Sequence, residues 1–218
     1  MTGSSGLPSN IKVRDLPDGG AACARETRES SIELEVRFGD RDSDVRPDTG
    51  IDFLNHMLEM VAWYGGFNLE ATYRQKRFNL SHVVCEDTGI VLGHVIRRIV
   101  EQRIPNGVAS DGSGWGGIDD ALAFAYVIVE GRANHFLELP DSLREGEVED
   151  ARNTDIVQFF EGFAQGCRAT VHLRLVSGRD PHHRWEACFR AFAKALRAVI
   201  APDPWRAGAT AGVKGTLE

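Results

Sequence analysis

His182-His183-Arg184-Trp185-Glu186 opens a helical stretch in the second half of the chain, and His82-Val83-Val84-Cys85-Glu86 opens one in the first. Each run places a Glu four residues after a His, so both side chains share one helix face and can reach one divalent cation. The same device in both halves of a 218-residue chain points to an internal duplication. The copies differ at one position: the first carries Val83 where the second carries His183.

The flanking patterns repeat in the same order. Residues 31–38 alternate polar and apolar, as a strand with one buried face does. Residues 52–63 hold Phe53, Leu54, Met57, Leu58 and Val61 at helical spacing, ending at Gly65-Gly66. A second alternating segment follows at 67–73. Residues 86–104 form a long amphipathic helix stopped by Pro105. In the second half, strands are expected at 123–129 and 135–139, a helix at 155–167, a strand at 170–176 and a helix at 186–200. The fold class is α+β: internally duplicated halves, each a small, mostly antiparallel sheet with two helices on one face. We divide the chain into a flexible segment 1–24, a first half 25–108 and a second half 109–218, the halves forming one compact unit.

Composition excludes several classes. Apolar residues make up 42% and charged residues 26%, as in ordinary globular proteins. The net charge of −7 argues against a nucleic-acid partner. No run approaches the roughly 18 apolar residues of a membrane span. The Gly/Ser-rich N-terminus has no apolar core and does not read as a secretion signal. Cys23, Cys85, Cys167 and Cys188 show no C-x-x-C spacing, which fits a reduced, cytoplasmic protein. Cys85 reads as a small buried hydrophobe.

Adjacent helical residues point about 100° apart, so His182 and His183 do not easily serve one ion. The doublet suggests two ions, with His182 and Glu186 facing one and His183 the other, alongside His82 and Glu86. His56, on the first helix, is the best-placed additional ligand by pattern. Such an N/O shell suits Mn, Zn, Fe or Ni. The alternative is structural: Glu86 and Glu186 could serve the positive end of a helix dipole.

Nearly the whole chain, from about residue 25, resembles the imidazoleglycerol-phosphate dehydratase family of histidine biosynthesis. The resemblance is carried by Arg25-Glu26-Thr27-Arg28-Glu29, by residues 49–58 (TGIDFLNHML), by Glu86-Asp87-Thr88-Gly89-Ile90 and by Asp119-Asp120-Ala121-Leu122-Ala123. Gly131-Arg132, His182-His183 with Glu186-Ala187, and Lys214-Gly215 complete it. It implies a hydro-lyase with two manganese ions at contacts between subunits of a large octahedral homo-oligomer, acting on a small molecule. It further implies Glu29 as the catalytic carboxylate, although an exposed, solvated Glu29 is the alternative, and Arg132 and Lys214 as substrate-binding cations. The metal ligands it implies are His56, His82, Glu86, Gln158, His182, His183 and Glu186, with His82, Glu86, His183 and Gln158 on one ion and His182, Glu186 and His56 on the other.

The chain departs from the family pattern where chemistry is expected. Val83 and Gln158 stand where the family has metal-binding His, so each ion lacks one imidazole, and one or two ions per chain are expected. Gln158 can still offer a carbonyl oxygen; Val83 offers nothing. Ser110 replaces an Arg expected at the substrate phosphate, and Tyr64 replaces a His. Arg forms a planar fork matched to phosphate oxygens, so its loss weakens recognition of a dianion. Trp63, Trp115 and Trp185 stand near site segments, either as core packing or as walls of a more aromatic pocket. Three functions remain open: a related elimination on an altered, heteroaromatic substrate; an authentic dehydratase of the histidine pathway; and a non-catalytic paralogue serving as a shell subunit or metal-binding partner.

Overall fold

The alternation at 31–38 becomes the central strand of the first sheet in a computed structural model, which describes residues 8–42, 46–78, 80–210, 212 and 217. Strands β1 (Ile11–Asp15), β2 (Ala21–Glu26), β3 (Ser30–Arg37) and β4 (Pro47–Asp48) precede helix α1 (Asp52–Gly65). Strand β5 (Asn68–Gln75) and helix α2 (Ser81–Arg103) complete the first half. The second half runs β6 (Asp111–Ile118), β7 (Ala121–Ile128), β8 (Asn134–Glu138), β9 (Glu147–Val148), β10 (Ala151–Arg152), α3 (Asn153–Cys167), β11 (Thr170–Ser177) and α4 (Pro181–Val199). The boundary at 108/109 falls between α2 and β6.

The first sheet has the order β1-β2-β3-β5-β4, the second β6-β7-β11-β8, with β9 and β10 a separate two-stranded ribbon. Pairing is antiparallel except at β4/β5 and β8/β11. This is the expected α+β fold of duplicated halves with mostly antiparallel sheets. Helix α2 covers β2 and β3, helix α4 covers β6 and β7, and the halves meet through their helices, α2 on α3 and α1 on α4.

The α2/α3 crossing is backbone on backbone. Gly89 and Gly93 of α2 abut Phe159, Phe163 and Cys167, while Gly162 and Gly166 of α3 abut Glu86 and Ile90. A Cβ on Gly93 would lie 2.5 Å from the Cys167 nitrogen. Four glycines therefore set how closely the two helices approach.

Three expectations are corrected. Residues 11–15 and 21–26 are paired strands, with Ala21, Ala22 and Cys23 buried, so the segment expected to be loose is sheet from Ile11 onward. Met1–Leu7 lie outside the described residues. Strand β6 was not expected, the first strand of the second half being placed at 123–129; its Gly112, Gly114 and Gly116 face Ala187, Ala191, Ala195 and Ala198 of α4, where a larger residue would collide. Helices α2 and α4 start about five residues before Glu86 and Glu186, earlier than the expected starts at 86 and 186, so the whole of each His–Glu run is helical.

Trp185 is fully buried and stacked on Phe160, which in turn packs on Phe189, and its Nε1 donates to Asn153 Oδ1 at 2.8 Å. It is core, with its one polar atom satisfied. All four cysteines are buried thiols. Burial pushes Cys23, Cys167 and Cys188 up to about 12, so they are not nucleophiles near neutral pH.

Candidate metal centre

Helix α4 begins with a well-made N-terminus. Asp180 accepts from the backbone nitrogens of His182 and His183 at 2.8 and 3.2 Å, and Pro181 occupies the first helical position. This start fixes the rotation of α4 and turns His182 and Glu186 toward α1, where His56 stands. Glu186 Oε2 lies 3.3 Å from His182 Nε2 and 3.5 Å from His56 Nε2. Among the described residues these three are the group of His, Cys, Asp and Glu side chains able to hold an ion, with donor atoms all within 4.8 Å of one another. Donors about 2.1 Å from a shared ion stand roughly 3–3.5 Å apart, so the set fits a divalent transition metal. Glu186 is buried and lies in the second turn of α4, beyond the reach of the helix dipole; its role at the helix end is thereby excluded.

The surroundings hold these donors in place. Glu149 Oε1 accepts from His182 Nδ1 at 3.2 Å, leaving Nε2 as the lone-pair nitrogen facing His56 and Glu186. Glu186 Oε1 is bonded by Arg190, one turn further along α4. Tyr64 lies beside that Arg, with its ring 5.1 Å from the guanidinium and 5.3 Å from Lys194. Asp150 accepts from the nitrogens of Asp52 and Phe53 at 2.7 and 2.9 Å, capping α1, which supplies no cap of its own.

His183 points elsewhere, as helical geometry demands. Its ring lies 6.2 Å from that of His182, at 84°. Its Nδ1 is 3.0 Å from Asp120 Oδ1 and its Nε2 3.5 Å from Asp119 Oδ2. The bond to Asp120 raises the His183 pKa and lowers that of Asp120. Within one chain His183 is not brought to His82 and Glu86, the partners the sequence suggested.

The other expected donors on these helices lie along α2 and α3, which cross backbone on backbone. His82 is exposed and Glu86 half-buried in the first turns of α2, with Val83 between them. Gln158 lies one turn before Gly162 on the α3 face that meets Glu86, and it lines a cavity of about 440 Å³ with His135 and Arg144. Helical register thus sets Gln158 at the α2 end that carries His82. The turn bearing Glu29 reaches the same end: Ser30 Oγ donates to Asp87 Oδ2 at 2.7 Å, and Arg25 pairs with the other oxygen. Glu29 itself is exposed.

The remaining substrate residues stand apart. Arg132 is exposed in the β7–β8 loop, its carbonyl accepting from Thr170 Oγ1 at 3.4 Å. Lys214 lies outside the described residues. Ser110 is fully buried with φ 63°, its nitrogen bonded to Val199 and its carbonyl to Val129. Trp115 is exposed and packs on Phe124. Trp63 lines a cavity of about 630 Å³ that includes none of the three donors. Sequence reasoning missed Glu149, Asp120, Asp150 and Arg190. Two of them left a signal: Asp120 stands in the Asp119–Ala123 run, and Arg190 stands four residues after Glu186 on the same helix face.

A sequence model of the family described as imidazoleglycerol-phosphate dehydratase matches residues 49–196. An imidazoleglycerol-phosphate dehydratase of Paracidovorax citrulli is 32% identical over 217 residues, with both chains fully covered. That of Corynebacterium jeikeium is 36% identical over 196 residues, covering 88% of this chain and 94% of the relative. Two solved structures share the fold. The Pyrococcus furiosus enzyme, crystallised in complex with (S)-C348, has a TM-score of 0.72 at 28% identity, covering 88% of this chain and 98% of that one. The Staphylococcus aureus enzyme has a TM-score of 0.68 at 25% identity, covering 84% and 99%.

Proposed function

The chain belongs to the imidazoleglycerol-phosphate dehydratase family of hydro-lyases, and from that premise we propose that it dehydrates a small heteroaromatic polyol at a metal centre built on His56, His182 and Glu186. The observation that carries this is the three-donor cluster between α1 and α4, with its carboxylate buried and both imidazoles turned inward. Manganese is the first candidate ion, with other divalent transition metals suited to the same N/O donors. When bound, the ion supplies Lewis acidity and orients the heteroaromatic ring.

The chain's own groups divide the remaining work. Glu186 and the two imidazoles position the ring. Glu29 is suited to moving the proton from carbon as the hydroxyl leaves. Gln158, His82, Glu86 and His183 form a second donor set, completed across a subunit contact in a large homo-oligomer. Arg132 and Lys214 attract an anionic substituent. A buried Ser110 in place of the expected Arg supports weaker phosphate recognition, since its side chain reaches only the Val108 carbonyl, at 3.4 Å. The protein works in the cytoplasm on this reading.

A second reading, the authentic histidine-pathway enzyme, is favoured by the end-to-end match to the P. citrulli relative. One experiment separates them. Chelator-free protein is analysed for metal, then given Mn2+ with imidazoleglycerol phosphate or its dephosphorylated form. Near one equivalent of metal, with comparable kcat/KM on both compounds, supports the altered substrate. Two equivalents and strong preference for the phosphate ester support the second reading. No retained metal and no metal-stimulated turnover defeats both.

A further inference from the structure

Glu149 occupies a costly position for a residue of its type. It is the first of the two turn residues joining β9 to β10, and its φ is 50°. An L-residue with a long side chain takes that left-handed conformation at a cost that glycine escapes. Packing does not require the side chain, which is exposed. Its hydrogen bond goes to His182 Nδ1, at 3.2 Å. The next residue, Asp150, caps α1 at Asp52 and Phe53, one turn before His56. One two-residue turn therefore grips both helices that carry the donor set.

We infer that Glu149 is a positioning residue for the metal centre: it fixes His182 as the Nδ1–H tautomer and aims Nε2 at the ion. The inference rests on the His56–His182–Glu186 reading and deepens it. The strain is retained in the turn because relaxing it would release His182. A carboxylate on the far nitrogen also raises the basicity of the ligating nitrogen and restricts ring rotation. Asp150 acts on α1 rather than on a donor, so the two neighbours have separable effects.

The test uses full-length protein stripped of metal, as wild type, Glu149→Gly, Glu149→Gln and His182→Ala. Each is titrated with Mn2+ by calorimetry and with Co2+ by visible absorption, and each is melted without metal. Glu149→Gly should weaken Mn2+ binding about 10–100-fold and alter the Co2+ bands, while its metal-free melting temperature stays equal or rises. Glu149→Gln should recover part of the affinity, because its carbonyl oxygen still accepts from Nδ1–H. Wild-type affinity in Glu149→Gly overturns the inference. So does parallel loss of affinity and metal-free stability without rescue by Gln, which marks a structural role. If wild type binds no Mn2+, or His182→Ala titrates like wild type, the centre itself is refuted and Glu149's role with it. Loss in His182→Ala with no change in Glu149→Gly refutes the positioning role alone.

Discussion

Gly89 of α2 rests against the carbonyl of Phe159 in α3, leaving no space for a side chain between the two backbones. The neighbouring contact of Gly162 with Glu86 is of the same kind. Backbone cannot give way as a flexible side chain can. Gly89→Ala and Gly162→Ala should each cost about 1–3 kcal/mol through overpacking. That corresponds to a fall in melting temperature of roughly 2–4 °C per kcal/mol for a chain of this size. Thermal unfolding of the metal-free protein measures it; an unchanged transition would mean the crossing is looser than described.

Glu186 is the buried anion of the donor set. Glu186→Gln keeps the shape but replaces the carboxylate with a neutral amide. Metal affinity should fall by more than the roughly 10–100-fold that outer partners cost, with stability changed much less. Equilibrium dialysis against Mn2+ reads the first and melting the second. Retained affinity would exclude Glu186 as a ligand.

On the proposed assignment Val83 and Gln158 each leave one of the two donor sets short of an imidazole. Val83→His with Gln158→His should raise the metal content of purified protein toward two equivalents per chain. Elemental analysis decides. Unchanged content would show that the deficit does not lie at these positions.

His94 in α2 carries a pH dependence away from the centre. Burial, and then the charges of Arg97 and Arg25, lower its pKa from 6.5 to about 4. Between those values the unfolded chain takes up a proton that the native chain refuses. Its contribution is present above about pH 6.5 and lost as pH falls toward 4, at about 1.4 kcal/mol per unit. His94→Gln should therefore flatten the acid limb of stability measured by urea unfolding from pH 7 to 4.5. An identical limb would exclude His94 as the group that charges.

The sequence made visible what depends on one periodicity. Period 3.6 placed His182 and Glu186 on one face and located all four helices; period 2 located β3, β5 and β11. Strand β6 escaped because its alternating glycines answer to the alanines of α4, a partner far along the chain. β2 escaped because small residues such as Ala21 and Ala22 carry little hydrophobic signal, and β1 because its alternation, Ile11-Lys12-Val13-Arg14, is short and flanked by Gly, Pro and Ser. Glu149 and Asp150 were invisible for another reason: each acts on a helix distant in sequence, and no spacing announces a tertiary hydrogen bond. Trp185 was ambiguous until its indole was seen bonded to Asn153 in the core.

The helices pair across the duplication, α1 with α4 and α2 with α3, so each donor set is half-owned. His56 comes from the first repeat and His182 and Glu186 from the second; His82 and Glu86 come from the first and Gln158 from the second. A polypeptide holding a single repeat would own fragments of two centres and neither one entire. Two such polypeptides docked reciprocally would recover both. Fusion into one chain frees the two centres from having to match, and the contrast between His56 and Gln158 is that freedom written into the sequence.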